Sequence, residues 1–172
     1  MNTKQSTHSL TLSIVIPVYN SELIVAETVN LINAELSQIE ISHEIILVND
    51  GSTDSSWSVL VELKKQFPQL VIINFLKNYG QHSAVFCGIQ NSRGNYVVTM
   101  DDDLQNPPSE IKKLYNKILE GYDLVFAVFD KKQHEDYRKL GTKVIDYLNT
   151  KIFGKPKSLK LTNFRIFSKA VT

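Results

Sequence analysis

From residue 12 onward, short runs of β-branched residues alternate with longer amphipathic segments, and no other pattern constrains the fold of this chain as tightly. Strands separated by helix-length segments build βαβ units, which leave the strands mostly parallel and lay the helices over the sheet. The runs predict strands over Leu12–Ile16, Glu44–Asn49, Val71–Asn74, Tyr96–Met100 and Asp123–Phe126. A helix from about Glu22 to Leu36 puts Val25, Val29, Ile32 and Leu36 on one face. A second opens after Ser52-Thr53-Asp54, whose side chains are good helix caps, buries Trp57, Leu60, Val61 and Leu63, and is closed by Pro68. A third, about His82 to Gln90, contains Gly88. A fourth runs from Pro108 to Glu120, with proline near its first turn and Gly121 after its last residue. A fifth spans about Glu135 to Phe153, carrying Tyr137, Leu140, Val144, Leu148 and Ile152 at helical spacing. No repeat or low-complexity segment interrupts this order.

A chain of 172 residues with 42% hydrophobic content supports one α/β domain over 12–172, after a flexible segment over 1–11. Its single cysteine, Cys87, lies in a mostly apolar run and reads as a buried small hydrophobe. That usage agrees with a reducing compartment. No run reaches the roughly 18–20 apolar residues of a membrane span, and the polar start Met1–Ser9 has no signal-peptide core, so a cytoplasmic protein is expected. The formal net charge of +1 hides an asymmetry: residues 1–130 hold 8 Lys and Arg against 15 Asp and Glu, whereas residues 131–172 hold 11 against 3. The first part suits a cation and the second an anion, unless the basic stretch is only a solvated face.

In open α/β sheets the ligand crevice lies beyond the carboxyl ends of the strands, where chain reversals and helix N-termini gather. The predicted strands end in Pro17-Val18-Tyr19-Asn20, in Asn49-Asp50-Gly51-Ser52-Thr53-Asp54, in Lys77-Asn78-Tyr79-Gly80-Gln81 and in Asp101-Asp102-Asp103, so the unusual chemistry falls along one edge. Three adjacent carboxylates at a strand end repel one another unless a cation sits among them, and the expected cation is a divalent metal carrying a phosphorylated substrate. If the extended conformation persists, Asp101 and Asp103 face the same side and Asp102 points away. Gln105 adds a neutral oxygen ligand or orients a bound water. The competing reading is an acidic turn capping the helix at Pro108, with Asn106 itself able to cap. Asp50 is placed to accept hydrogen bonds from a base or ribose beside the tight turn at Gly51, although the same segment also makes a good turn and N-cap. Neither Gly-x-Gly-x-x-Gly nor Gly-Lys-Ser/Thr occurs, which counts against dinucleotide oxidoreductases and P-loop enzymes. His82 has no Ser or Cys arranged beside it as a nucleophile and reads as a surface residue at a helix start.

Ser13 to Glu22, Val48 to Asp54, Asn78-Tyr79-Gly80-Gln81, Arg93-Gly94-Asn95-Tyr96 and Asp101-Asp102-Asp103-Leu104-Gln105-Asn106-Pro107-Pro108 together resemble, in order, the family 2 glycosyltransferases of GT-A fold. Within that family they look most like dolichol-phosphate mannosyltransferase and bacterial polyprenyl-phosphate glycosyltransferases, over about residues 12–170. The resemblance implies a Rossmann-like, mostly parallel sheet flanked by helices, a UDP- or GDP-linked sugar donor, Mg²⁺ or Mn²⁺, and inversion at the anomeric carbon. It also implies that Pro17, Tyr19 and Glu22 line the donor pocket and that Asp50 meets the base, with Lys77 and Asp102 as further donor-binding positions. Asp101, Asp103 and Gln105 would surround the metal and pyrophosphate, and Arg138 and Arg165 would lie near the phosphates. Asn49 stands where relatives often carry Asp, and Asn163 where they carry Ser, Gly or Asp, so no general base is assigned there.

An anionic lipid phosphate needs no such base, which makes a polyprenyl phosphate at the inner face of a membrane the expected acceptor. Lys131, Lys132, Arg138, Lys139 and Lys143 would then hold that phosphate and the anionic surface. The alternatives are transfer to a polysaccharide or lipopolysaccharide hydroxyl, a nucleotide-sugar-binding module without turnover, and, more remotely, a nucleotidyltransferase. The last is disfavoured because no glycine-rich, Lys- or Arg-bearing loop follows the first strand. Relatives continue past the Phe-Arg segment, so a C-terminally truncated catalytic domain is expected. The basic stretch has no aromatic stacking platform, so a nucleic-acid partner is not expected, and the oligomeric state is left open.

Overall fold

The computed structural model describes residues 11–38, 41–128 and 162–171. Six strands, β1 (Leu12–Val18), β2 (His43–Asn49), β3 (Leu70–Asn74), β4 (Tyr96–Thr99), β5 (Leu124–Phe126) and β6 (Arg165–Ser168), form one sheet in the order β3-β2-β1-β4-β6-β5. Strands β1 to β4 are parallel, and β6 runs antiparallel to both β4 and β5. The helices are α1 (Val25–Gln38), α2 (Ser56–Gln66), α3 (Gln81–Gln90) and α4 (Glu110–Ile118). The expected fifth helix, with Arg138 and the lysines around it, lies outside the described residues.

Because β1 is paired on both edges and covered on both faces, all seven of its residues are buried, which accounts for its nearly continuous apolar sequence. Alternation along the strands divides the core. Ile14, Ile16, Ile45 and Leu47 face one layer with Val29 and Ile32 of α1, Leu60 of α2 and Leu114 of α4. Val15, Ile46, Val48 and Val97 face the other with Ala84 of α3 and Phe167 of β6. Each fully buried aliphatic side chain stabilises the fold by about 1.5–3 kcal/mol.

At the amino end of the strands, Glu44 is 1% exposed and accepts bonds from Ser13 Oγ (2.7 Å), Arg93 N (2.7 Å) and the Arg93 guanidinium (3.1 and 2.9 Å). A buried carboxylate needs such pairing. Ser13 Oγ in turn accepts the Gly94 N–H at 2.8 Å, which ties the turn before β4 to β1 and β2.

Several elements differ from expectation. Helix α1 starts three residues late because Ser21–Ile24 is a turn in which Ser21 O accepts the N–H groups of Ile24 and Val25. Strand β4 stops at Thr99 and α4 is shorter at both ends. Trp57 and Val61 are half-buried, because α2 also faces solvent, and Cys87 is half-buried against the α3 layer. Strand β6 was not anticipated. His82 is exposed near the start of α3, as expected.

Candidate functional site

Chain order reverses direction in the sheet between β1 and β4: β2 and β3 follow on one side of β1, and β4 lies on the other. Their connections leave on opposite faces, and a crevice opens between them at the carboxyl ends. A cleft of about 350 Å³ occupies that place, lined by Pro17, Tyr19, Asp50, Asn78, Gly80, Gln81, Asp101, Asp102 and Asp103. The size suits a small ligand.

Two loops build one wall. The Asn20 N–H donates to Ser52 Oγ at 3.0 Å, and Asn20 Oδ1 accepts the Thr53 N–H at 2.9 Å. Two positions further, the Glu22 N–H donates to Asp54 Oδ2 at 3.2 Å, while Glu22 Oε2 accepts the Ser55 N–H at 2.7 Å. The loops after β1 and β2 therefore cap each other, and Asp54 Oδ1 accepts the Ser56 N–H at the start of α2 (2.9 Å). Asp50 is 2% exposed, and its Oδ1 accepts the Tyr79 N–H at 2.8 Å. Gly51 has φ +64°, and a Cβ there would sit 2.3 Å from the Lys77 carbonyl carbon, so only glycine lets the loops after β2 and β3 meet this closely.

The acidic run forms the opposite wall. The extended conformation does not persist past Thr99; the chain bends through residues 102–106, with Leu104 at φ 58°. Asp102 consequently lines the cleft with Asp101 and Asp103 instead of pointing away. Its backbone carbonyl accepts Thr28 Oγ1 from α1 at 2.9 Å, and its Oδ2 is buried with no hydrogen-bond partner. Burial pushes the Asp101 carboxyl above the ordinary carboxylate range and the charge of Asp103 adds to this, against the side-chain amides of Asn163 and Gln81. Burial also raises Asp102, opposed by the Ser21 hydroxyl and reinforced by its two neighbours. Among the described residues no three His, Cys, Asp or Glu side chains converge as a complete metal-binding group. What the cleft offers is crowded carboxylate oxygen, with room for ligands from outside the protein. That donor set fits a hard divalent cation.

The structure brings Pro17, Tyr19, Asp50, Asp101, Asp102 and Asp103 together and leaves four sequence-expected residues elsewhere. Glu22 is occupied in capping Ser55 and is not among the lining residues. Lys77 stands outside the lining with its ammonium 5.2 Å from the Tyr79 ring centroid, because the turn against Gly51 directs it outward. Gln105 is exposed, and its backbone N–H, donating to Asp103 Oδ1 at 3.0 Å, fixes the bend. Arg165 pairs with Thr99 across β6 and β4, outside the lining, with its Nε buried and unpartnered. Arg138 lies outside the described residues. Asn78, Gly80 and Gln81, read from sequence as part of a motif at a strand end but given no role there, also line the cleft.

The model of the family described as glycosyl transferase family 2 matches residues 13–171. Among solved structures, M. tuberculosis glucosyl-3-phosphoglycerate synthase superposes with a TM-score of 0.70 at 20% identity, covering 94% of this chain and 58% of that one. The same synthase in complex with Mn²⁺, UDP-glucose and phosphoglyceric acid gives 0.69 at 18% identity, covering 94% and 57%. S. aureus TarS 1–349 in complex with UDP gives 0.63 at 20% identity, covering 94% and 47%. This chain thus spans about half the length of these proteins, and the likeness shows a common fold.

Proposed function

The chain belongs to glycosyl transferase family 2, and from that premise we propose that it moves a sugar from a UDP-linked donor to a polyprenyl phosphate, with inversion, at the inner face of a membrane. The observation that carries the reading is the gathering of Asp101, Asp102 and Asp103 opposite Tyr19 and Asp50 in one cleft at the switch point of the sheet. Structural neighbours in complex with UDP, or with Mn²⁺ and UDP-glucose, support a uridine donor and a divalent ion. Asp101 and Asp103 would hold Mg²⁺ or Mn²⁺, with Asp102 beside them. When bound, the ion neutralises pyrophosphate and stabilises charge gathering on the leaving nucleoside diphosphate.

The chain's own residues do the rest. Asp50, fixed by the Tyr79 N–H, presents its remaining carboxylate oxygen to donor hydroxyl or N–H groups. Tyr19, about half exposed at the cleft edge, offers a flat face for the nucleoside. Arg165, paired with Thr99 at the carboxyl end of β4, would supply a cation for anionic oxygen on the acceptor side. The acceptor reading rests on the basic composition of residues 131–172 and on a site with no assigned general base. No helix among the described residues is long and apolar enough to cross a membrane.

Calorimetric titration with UDP and with GDP, each with and without Mn²⁺, tests the donor half. UDP should bind in a Mn²⁺-dependent way, and Asp103→Ala should weaken that binding at least tenfold, the loss of about 1.4 kcal/mol or more. Asp103 is exposed, so its truncation should spare the fold. Sugar transfer from a UDP-sugar to undecaprenyl phosphate in vesicles tests the acceptor. Donor binding without transfer to any acceptor would favour a binding module, and Mn²⁺-independent UDP binding unchanged in Asp103→Ala would remove the metal proposal.

A further inference from the structure

Asp101 is held from two other parts of the chain, and both of its side-chain hydrogen bonds arrive on the same oxygen. Gln81 Nε2, at the first residue of α3, donates to Asp101 Oδ1 at 2.6 Å, and Asn163 Nδ2, just ahead of β6, donates to it at 3.4 Å. The two donors are themselves anchored. Helix α3 is pressed onto β1 at Gly88, where a Cβ would stand 2.3 Å from Val15 Cγ1. The Asn163 carbonyl accepts Thr99 Oγ1 at 2.6 Å, and Thr162 Oγ1 bridges to the carbonyls of Ala127 and Phe164 at 2.9 Å each. Three separate parts of the chain thus converge on one carboxylate oxygen.

From this arrangement we infer that Gln81 and Asn163 are positioning residues, whose amides immobilise Oδ1 of Asp101 and leave its Oδ2 as the oxygen presented to a cation in the cleft. A free carboxylate rotates about its last bond and exchanges its oxygens; two amide donors on one oxygen stop that rotation. Both donors are neutral, so they orient the carboxylate without cancelling the charge a cation needs, as a lysine or arginine in either place would do. Gln81 supplies the shorter bond and carries most of the effect. Asn163 connects the cation site to the chain that enters β6, so that segment and the acidic run are set together. The inference rests on the donor-site reading above and adds two residues to it that touch Asp101 instead of the ligand.

The test pairs a signature that needs no metal with one that does. In the metal-free protein, the Gln81 side-chain amide proton should resonate downfield of free glutamine and return to the ordinary position in Asp101→Ala. Gln81→Met keeps the length of the side chain and removes the donor, and Gln81→Glu turns it into a repelling acceptor. Calorimetry should show Mn²⁺-dependent UDP binding about tenfold weaker in Gln81→Met, the usual scale for a hydrogen bond to a charged group, and weaker still in Gln81→Glu. UDP affinity without Mn²⁺ should be unchanged, which separates positioning from general loosening of the cleft. Asn163→Ala should act in the same direction with a smaller effect. An unshifted Gln81 amide, or Mn²⁺-dependent binding unaltered in Gln81→Met, overturns the inference while leaving the donor site standing. A shifted amide in a wild-type protein that shows no Mn²⁺-dependent binding overturns the donor-site reading and, with it, the role assigned to the pair.

Discussion

Asp54 shows how one side chain serves the site without entering it. It is tied to Ser56 and to the Glu22 N–H, linking the start of α2 to the loop after β1. Burial pulls its carboxyl upward, but the bonds from the Ser56 hydroxyl and N–H and the Glu22 N–H outweigh it and hold the group below its ordinary value of 3.8. A carboxyl depressed in the folded state contributes stability above the unfolded pKa and loses it as pH falls through the folded one. Asp54→Ala should therefore cost about 1 kcal/mol at neutral pH. Denaturant unfolding of both proteins from pH 7 downward checks this: the gap should close below the carboxylate range, and a gap of constant size would mean that the carboxylate charge does not contribute. At this scale the sequence was legible where a residue type implies a cap or a place at the strand ends: Asp54 accepts the Ser56 N–H, and Asp50 and Asp101 line the cleft. It was not legible for Glu22 or Lys77, whose directions depend on a second loop folding against them. Nor was it for Gln81, an ordinary helix residue until Asp101 is placed opposite.

Among the elements, α3 depends most on a single contact. Its Gly88 lies so close to Val15 that an added methyl group must move either the helix or a β-branched side chain locked in the central strand. Gly88→Ala should destabilise the protein by about 1–3 kcal/mol, the range for overpacking, despite the better helix propensity of alanine. Thermal denaturation gives the stability change, and an increase in Tm would show that α3 stands off the sheet further than described here. Because Gln81 begins the same helix, Mn²⁺-dependent UDP binding should weaken in parallel. Strands β1 to β4 and helices α1 to α4 could be read from their apolar runs and spacing, and β5 from a short apolar run although none of its residues is buried. Strand β6 could not: Arg165-Ile166-Phe167-Ser168 is too short to alternate visibly, and its pairing with β4 and β5 comes from residues far apart in sequence. The late start of α1 was hidden too, because Glu22 to Ile24 fit a helical pattern while bonding as a turn.

Taken whole, the molecule has a stable centre and a thin edge. Strand β1 is paired along its full length with β2 and shielded by helices on both faces, whereas β5 has three residues, none of them buried, and among the described residues pairs only with β6. Amide hydrogen exchange should follow that gradient. Amides of β1 and β2 should exchange only with global unfolding, and those of β5 should open at lower free energy. Equal protection across the sheet would indicate that another part of the chain reinforces the β5 edge.

The insertion of β6 between β4 and β5 also sets an order in time. As the chain is synthesised, β1, β2, β3 and β4 emerge in turn and each can pair with a strand already made, but β5 then has no neighbour. Residues 127–164 must follow before β6 can join the two, a delay on the order of seconds at roughly 5–20 residues per second. During that interval β4 carries Val97 and Val98 on an unpaired edge of the kind that recruits other chains. Strand β6 is preceded by Asn163, so its arrival covers the β4 edge and brings the Asn163 amide to Asp101 in the same event. A ribosome-bound intermediate stalled before that point would be sticky and would lack the Asn163 bond to Asp101.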